Sequence, residues 1–213
     1  MTESTTRNET NWNIDYEASE PIRIRDPVAE ALAVLEPGEP FVIGYLDVIT
    51  EAGHSCPTAS GAFRITQLGL AALYPDAHPV RSEIEVTMGG PKSDPTYGVM
   101  SRIVSFITGA AEEDGFGGLS GGHGGRMNLL EFGDLDGDGP TVELERTDTG
   151  EAVRVTYHVG DVPGTGPAAR HLEKLIAGTA TAEERAAFAE AWHARVETVL
   201  TDDELFTVSR RSA

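Results

Sequence analysis

Cysteine and lysine are almost absent from this chain of 213 residues. The single cysteine, Cys56, excludes an internal disulfide. Lys92 and Lys174 are the only lysines and the formal net charge is -19, so we expect neither nucleic acid nor a membrane surface as a partner. No apolar run reaches membrane-spanning length, and the N-terminus lacks the basic-then-apolar pattern of a signal peptide. These absences predict a soluble, cytoplasmic protein.

The surplus of acidic residues is spread along the whole sequence rather than gathered in one segment. An acidic face that recruits a basic partner is one explanation. The other is a halophilic protein, in which acidic side chains hold hydration while salt screens their repulsion. The even spread favours the halophilic explanation, which predicts that thermal stability rises with KCl concentration.

Composition divides the chain into three parts. Residues 1–20 are rich in Thr, Asn, Ser and Glu and predict a flexible tail. Residues 21–160 carry the patterns of a folded domain. Residues 161–213 begin with a Gly/Pro-rich linker and predict a C-terminal helical extension that packs on the same domain.

Proline, glycine and capping residues delimit the predicted elements. Asp26-Pro27 opens a helix, Gly109 ends another, and Thr181 with Glu184 forms the capping box of a third. The last three strands of the folded domain form an antiparallel meander with a hairpin turn at 148–150. The predicted strands are 41–49, 81–87, 127–132, 141–146 and 152–158, and the predicted helices are 27–35, 57–73, 96–108, 168–177 and 181–200.

The stretch 53–57 (GHSCP) places an imidazole and a thiol at the start of the helix 57–73. Proline is favoured at the first helical position, which makes Cys56 the expected N-cap. The unpaired N–H groups and the helix dipole favour anions there, and small residues at 59–62 would let another group pack closely. A thiolate beside the imidazole of His54 can bind a metal or attack an electrophile. The alternative is an inert, buried thiol.

A metal site of mixed nitrogen and sulfur ligands needs three or four groups. His123 is the best additional ligand, because the glycines on both sides would let its ring reach inward, although it also fits an exposed loop histidine. Met88 and Asp94, in or beside the break after the second predicted strand, are further candidates. The sequence thus predicts a metal site of His54, Cys56 and His123. The other histidines are expected on the surface or in structural roles: His78, His158, His171 and His193.

A calcium-loop pattern is present at 134–139 (DLDGDG), with a glutamate at its twelfth position. It lies between predicted strands rather than helices, and Pro140 occupies its seventh position. Asp-Gly runs are also ordinary turns. We therefore do not expect calcium at this pattern, whose acidic members are Asp134, Asp136, Asp138 and Glu145.

Two further chemistries are weaker. The glycine-rich stretch 115–126 lacks the lysine of a phosphate-binding loop, which argues against a nucleotide site. Nucleophilic catalysis by Cys56 would use His123 as base, because residues two apart on a turn, such as His54 and Cys56, rarely form a tight pair. No acidic residue is an obvious orienting partner, so whether the chain is an enzyme stays open.

These motifs together resemble the FmdE family, which takes its name from formylmethanofuran dehydrogenase. That family has a His-x-Cys-Pro motif opening a helix, which is 54–57 (HSCP) here. The similarity extends over about residues 28–208, and the His-x-Cys-Pro motif is its most specific part. It includes Thr108-Gly109 and the stretches 125–129 (GRMNL), 149–155 (TGEAVRV) and 203–206 (DELF).

The resemblance implies an α+β fold. A mixed, largely antiparallel sheet would carry helices packed on one face, with the C-terminal helices added to it. The resemblance also implies a metal, commonly zinc, held by His54 and Cys56, and a homodimer. The family is named from an association with a molybdenum enzyme, so a non-catalytic subunit that docks on a larger redox enzyme is the alternative.

The chain departs from the family pattern after the second predicted strand. The family usually has another cysteine there, followed by an acidic residue, whereas residues 88–94 are MGGPKSD. His123 of the glycine loop would replace that ligand, and one thiolate with two imidazoles suits zinc with an open position. Copper is an alternative if Met88 approaches, and a Cys-Pro motif can also hold haem iron through an axial thiolate.

Overall fold

A computed structural model describes residues 10–16 and 18–211, which form seven strands and six α-helices together with short 3-10 turns. The strands are β1 (Ile22–Ile24), β2 (Phe41–Ile43), β3 (Ile84–Met88), β4 (Leu130–Phe132), β5 (Thr141–Arg146), β6 (Ala152–Tyr157) and β7 (Phe206–Arg211). The helices are α1 (Pro27–Ala31), α2 (Tyr45–Ala52), α3 (Pro57–Leu73), α4 (Pro95–Thr108), α5 (Leu172–Ile176) and α6 (Ala182–Thr201).

Five strands form one sheet in the order β4-β3-β5-β6-β7. The pair β3–β4 is parallel and the other pairs are antiparallel, while β1 and β2 form a separate antiparallel pair. Residues alternate along β3, so that Ile84 and Val86 are buried whereas Glu85 is exposed. Helix α3 packs on β5 and β6, and α4 packs on α3. The predicted α+β class with a mixed, largely antiparallel sheet is confirmed. The predicted meander of the last three strands is wrong for β4, which pairs in parallel with β3 instead of with β5.

Helix α3 lies at the centre of the core, with 12 of its 17 residues buried. Two glycines let neighbouring side chains approach its backbone closely. A Cβ at Gly61 would lie 2.4 Å from Cε1 of Tyr157, and one at Gly69 would lie 2.3 Å from Cδ1 of Leu144. The close packing expected from the small residues of this helix is therefore confirmed, and β6 supplies the ring at Gly61.

The predicted strand 41–49 is wrong beyond Ile43, because the chain turns there into helix α2. Gly44 is the N-cap, and its N–H donates to the carboxylate of Asp47 at 2.9 Å. Gly53 ends the helix in the left-handed conformation, with φ 73°. The continuous apolar run concealed a helix because most of its apolar residues pack inward.

Several other boundaries also differ from the predictions. Helix α1 ends at Ala31, the strand predicted at 127–132 covers only β4, and the helix predicted at 168–177 is a 3-10 turn followed by α5. The region predicted as a helical extension, 161–213, also includes the strand β7, which pairs with β6 along its whole length. The expected caps are confirmed at Asp26, Gly109 and Thr181.

The predicted tail 1–20 lies partly outside the described residues, which lack 1–9 and 17. Within its described part, Tyr16 is buried, and its hydroxyl lies 2.7 Å from Nδ1 of His193 on α6. Helix α6 packs on α3, where Trp192 Nε1 donates to the carbonyl of Ser55 at 2.8 Å. Among the described residues, no helix is long and apolar enough to cross a membrane.

Candidate functional site

The turn between α2 and α3 carries His54. The Gly53 N–H donates to the Ile49 carbonyl at 2.8 Å, and Nδ1 of His54 lies 2.9 Å from the carbonyl oxygen of Ala52. A carbonyl only accepts, so Nδ1 carries the proton and a neutral ring keeps its lone pair on Nε2. Metal-binding histidines are commonly oriented by such a backbone hydrogen bond.

Cys56 occupies the N-cap of α3 in an extended conformation, with φ -154° and ψ 166°. Its Sγ accepts the N–H of Ala59 at 3.4 Å, and Ser60 Oγ donates to the Cys56 carbonyl at 3.1 Å. The thiol is half-buried and lies at the positive end of the helix dipole. The N-cap predicted from Cys56-Pro57 is confirmed, and the position suits an anionic sulfur.

Side chains from three other parts of the chain surround this turn. Ser55 Oγ lies 3.0 Å from the hydroxyl of Tyr16 and 3.2 Å from that of Tyr45 on α2. The rings of Tyr16 and Tyr45 meet edge to face, with centroids 5.2 Å apart. Helix α6 covers them with Trp192 and His193. Together with Tyr157 of β6, these residues form a junction of five segments, which we call the cysteine junction (Tyr16, Tyr45, Ser55, Cys56, Tyr157, Trp192 and His193).

Two buried phenols of the junction respond to the charge of Cys56. Burial is the main cause that raises the pKa of Tyr45 and of Tyr157, and a negative charge on Cys56 raises both further. Arg195 acts on the pKa of Tyr157 in the opposite direction. Tyr157 is 1% exposed, and its hydroxyl has no hydrogen-bond partner among the described residues. A buried hydroxyl without a partner thus lies within electrostatic range of the thiol.

His54 and Cys56 face different neighbours. The exposed ring of His54 borders a cavity of about 160 Å³ between α2 and α4, together with Val99, Arg102 and Ile103. Cys56 does not line that cavity and packs against the hydrophobic core instead. The structure places the two residues in one turn, with His54 at the edge of this cavity and Cys56 at the N-cap of α3.

His123 lies on a separate part of the surface. Its Nε2 is 3.3 Å from the carbonyl of Pro27, and the ring is exposed. Backbone hydrogen bonds hold the glycine-rich loop, including Arg126 N–H to the Phe116 carbonyl at 2.7 Å and Leu119 N–H to the His123 carbonyl at 2.8 Å. The inward reach expected of His123 is therefore not seen.

The remaining predicted ligands have other roles. Met88 is fully buried in β3, and Asp94 caps α4 by accepting the Thr96 N–H at 2.7 Å. Across residues 10–16 and 18–211, no group of three or more His, Cys, Asp and Glu side chains is placed to hold a metal ion. A metal at the cysteine junction would therefore need at least one ligand other than the His, Cys, Asp and Glu side chains that the structure places there.

The acidic members of the calcium-loop pattern are separated. Glu145 lies on β5, where its carboxylate accepts from Nη2 of Arg211 at 2.8 Å. Asp138 instead lies 3.2 Å from Nδ1 of His158, whose Nε2 lies 2.8 Å from the Thr207 hydroxyl. His158 thus links the turn before β5 to β7, which agrees with the structural role predicted for it.

The phenols of the junction are functional candidates that the sequence does not reveal. Tyr45 falls within the predicted strand 41–49, and Tyr157 reaches the site only because β6 crosses Gly61. The signals present in the sequence are Ser55 inside the motif and the small residues at 59–62. Both indicate that something packs there, and neither indicates which part of the chain supplies it.

Comparisons with known proteins add a distant structural likeness. No family model matches the sequence, and no curated protein matches it. Among solved structures, the chain is similar to a tungsten formylmethanofuran dehydrogenase FmdE-like protein from Syntrophus aciditrophicus. The identity is 14%, the alignment covers 81% of this chain and 73% of that chain, and the TM-score is 0.40.

Proposed function

We propose that this chain binds a transition-metal ion or a metal cofactor at the cysteine junction, with the thiolate of Cys56 as the anchoring ligand. The supporting observation is a pair of groups. Sγ accepts a hydrogen bond at the positive end of α3, and the buried hydroxyl of Tyr157, within electrostatic range of the thiol, lacks a partner among the described residues. A bound metal would satisfy both groups, because thiolates and phenolates are ligands of transition metals.

His54 is the second protein ligand in this proposal. Its Nδ1 proton is engaged by Ala52, which leaves Nε2 as the donor nitrogen. The remaining position is filled by the cofactor itself or by a second copy of the chain, since Nε2 of His123 lies 3.3 Å from the carbonyl of Pro27 at the start of α1.

The combination of a thiolate and an imidazole decides which metal or cofactor fits best. Zinc is our first choice, because it accepts thiolate and imidazole together and tolerates an open position. Zinc there would supply Lewis-acid polarisation of a bound group. Haem iron and copper are the alternatives, and each has an absorption spectrum that zinc lacks.

The test is the metal content and absorption spectrum of the purified protein. We expect about one equivalent of bound metal per chain, falling to below about a tenth in Cys56→Ser. His54→Ala should weaken binding about tenfold or more, as loss of a ligand does, while His78→Ala, an exposed histidine elsewhere, should have no effect. Retention of the metal by Cys56→Ser would overturn the proposal.

A second candidate is the non-catalytic subunit that docks on a larger redox enzyme. It is favoured by the resemblance of the His-x-Cys-Pro motif and by two apolar side chains one turn apart on α5, where Leu172 is 42% and Ile176 is 79% exposed. Co-purification of a larger redox enzyme from native extract would support this role. A lone homodimer in the same extract would argue against it and would support the homodimer implied by the resemblance.

A further inference from the structure

An open groove of about 1000 Å³ runs along α4. The helix presents small residues to it, including Gly98, Ser101 and Ser105. Phe106, Phe116 and Phe132 also line the groove, and Phe116 is 45% exposed. A groove lined by both small residues and aromatic rings has room for a flat molecule.

The groove concentrates positive charge in a strongly acidic chain. Its lining includes four of the 16 lysines and arginines but only three of the 35 acidic residues. The four cations are Arg81, Lys92, Arg102 and Arg126. Since the whole chain has a formal net charge of -19, this lining is the opposite of what an even spread of charge would give.

Three of these cations have internal partners. Arg81 donates to the carbonyls of Phe106 and Ile107 at 2.7 and 2.9 Å and so caps the C-terminus of α4. Arg81 and Arg126 also share the buried carboxylate of Asp26. Lys92 pairs with Glu112, and its Nζ lies 5.9 Å from the centroid of the Phe132 ring.

Arg102 differs from the other three. It is exposed and makes no hydrogen bond or ion pair with any described residue. It lines both the large groove and the small cavity beside His54, so the two are neighbours. An anionic group in the groove would find the guanidinium of Arg102 unengaged and able to form a bidentate pair.

We propose that this groove binds a small organic anion that carries a flat aromatic group. Its carboxylate, sulfonate or phosphate pairs with Arg102, and its ring packs between the small-residue face of α4 and Phe116. No residue of the cysteine junction lines this groove, although Arg102 also lines the small cavity beside His54.

The test uses 8-anilinonaphthalene-1-sulfonate, an aromatic anion whose fluorescence rises when it is bound. We expect saturable binding to the full-length protein, weakened about fivefold or more by Arg102→Gln and by Phe116→Ala. The matched control is Arg170→Gln, which removes an exposed arginine outside the groove and should leave the affinity within about twofold. Circular dichroism and thermal melting identify any variant that fails to fold.

A neutral probe separates the contribution of the sulfonate charge to the binding affinity from that of the aromatic rings. N-phenyl-1-naphthylamine has the same rings without the sulfonate, so Phe116→Ala should weaken its binding and Arg102→Gln should not. Cys56→Ser should bind the sulfonate as tightly as the natural chain, whatever its metal content. Absence of saturable binding, or equal affinities in Arg102→Gln and Arg170→Gln, would overturn the proposal.

Discussion

The cysteine junction and the glycine-rich loop 115–126 each hold one residue predicted to bind the same metal, and they are built in opposite ways. Side chains from α2, β6 and α6 surround Cys56. The loop around His123 is held mainly by its own backbone, with glycines at positive φ. The glycines on both sides of His123 do not turn its ring inward, because backbone hydrogen bonds within the loop fix the conformation of the chain there.

The largest effect is expected inside the junction, at Gly61. A Cβ there would lie 2.4 Å from Cε1 of Tyr157, whose ring is fully buried and stacked on Phe206 with centroids 5.0 Å apart. Because that ring has no room to move, Gly61→Ala should lower the free energy of unfolding by about 2–3 kcal/mol. Urea denaturation measures it.

The matched control for Gly61 is Gly98 in α4, where the nearest atom to an added Cβ is the Lys92 carbonyl oxygen at 3.3 Å. Gly98→Ala should change the stability by less than about 1 kcal/mol, because the gain in helix propensity offsets the mild crowding. Equal stabilities of the two variants would show that Tyr157 is not packed on α3 as described.

The loop should respond locally rather than globally. Gly118 has φ 90°, and a Cβ there would lie 2.5 Å from the backbone of Gly122. Gly118→Ala should therefore open the loop and raise the rate of proteolysis within 115–126 about tenfold, with little effect on the melting temperature.

Gly121 is the control within the same loop, since it has φ 76° and open space around it. Gly121→Ala should destabilise the loop by about 1 kcal/mol, because alanine disfavours positive φ, and it should cause no steric clash. If both loop variants were cleaved at the same rate, backbone contact between 118 and 122 would not be what holds the loop.

A smaller effect of opposite sign is expected at Tyr157. Its buried hydroxyl has no partner among the described residues, so Tyr157→Phe should leave the metal-free protein unchanged or stabilise it by up to about 1 kcal/mol. Tyr45→Phe removes a hydroxyl that is 3.2 Å from Ser55 Oγ and should destabilise it by about 1 kcal/mol. A larger loss from Tyr157→Phe than from Tyr45→Phe would contradict this assignment.

The smallest effect concerns pH. Burial lowers the pKa of His193 below its ordinary value of 6.5. The unfolded chain then binds the proton more readily than the folded chain, so stability falls as pH decreases through about 6.5. Urea denaturation between about pH 5 and pH 7.5 should show a shallower slope in His193→Gln than in the natural chain.

His78→Gln is the control for this prediction, because His78 is exposed, and it should keep the natural slope. Asp26 does not interfere. Burial raises its pKa, but hydrogen bonds from backbone N–H groups and the charges of Arg126 and Arg81 outweigh burial and lower it overall. Its contribution is lost only as pH falls below about 3.8. Identical slopes in both histidine variants would contradict the burial of His193.

Local signals in the sequence predicted the parts of this fold that depend on local chemistry. Cys56-Pro57, Asp26-Pro27 and the Thr181–Glu184 capping box each mark a helix start because proline and capping side chains act within one turn. Helix α2 was missed because a buried amphipathic run reads like a strand when its cap is a glycine.

The residues that surround the Cys56 thiol could not be predicted from the sequence for a different reason. Its neighbours come from β6 and α6, which are more than 90 residues away along the chain. Which strand crosses Gly61 depends on the sheet order, and no local pattern encodes that order. The sequence correctly placed Cys56 at the start of α3, whereas the inward reach expected of His123 is not seen, because backbone hydrogen bonds orient its loop.

The most direct test is the metal content of three proteins after exhaustive dialysis: the natural chain, Cys56→Ser and His123→Ala. We predict about one equivalent in the natural chain and in His123→Ala, and less than about a tenth in Cys56→Ser. Metal that stays in Cys56→Ser would contradict the account, because Cys56 would then not be the anchoring ligand. Metal that is lost in His123→Ala would contradict it too, because a necessary ligand would then lie in the glycine loop.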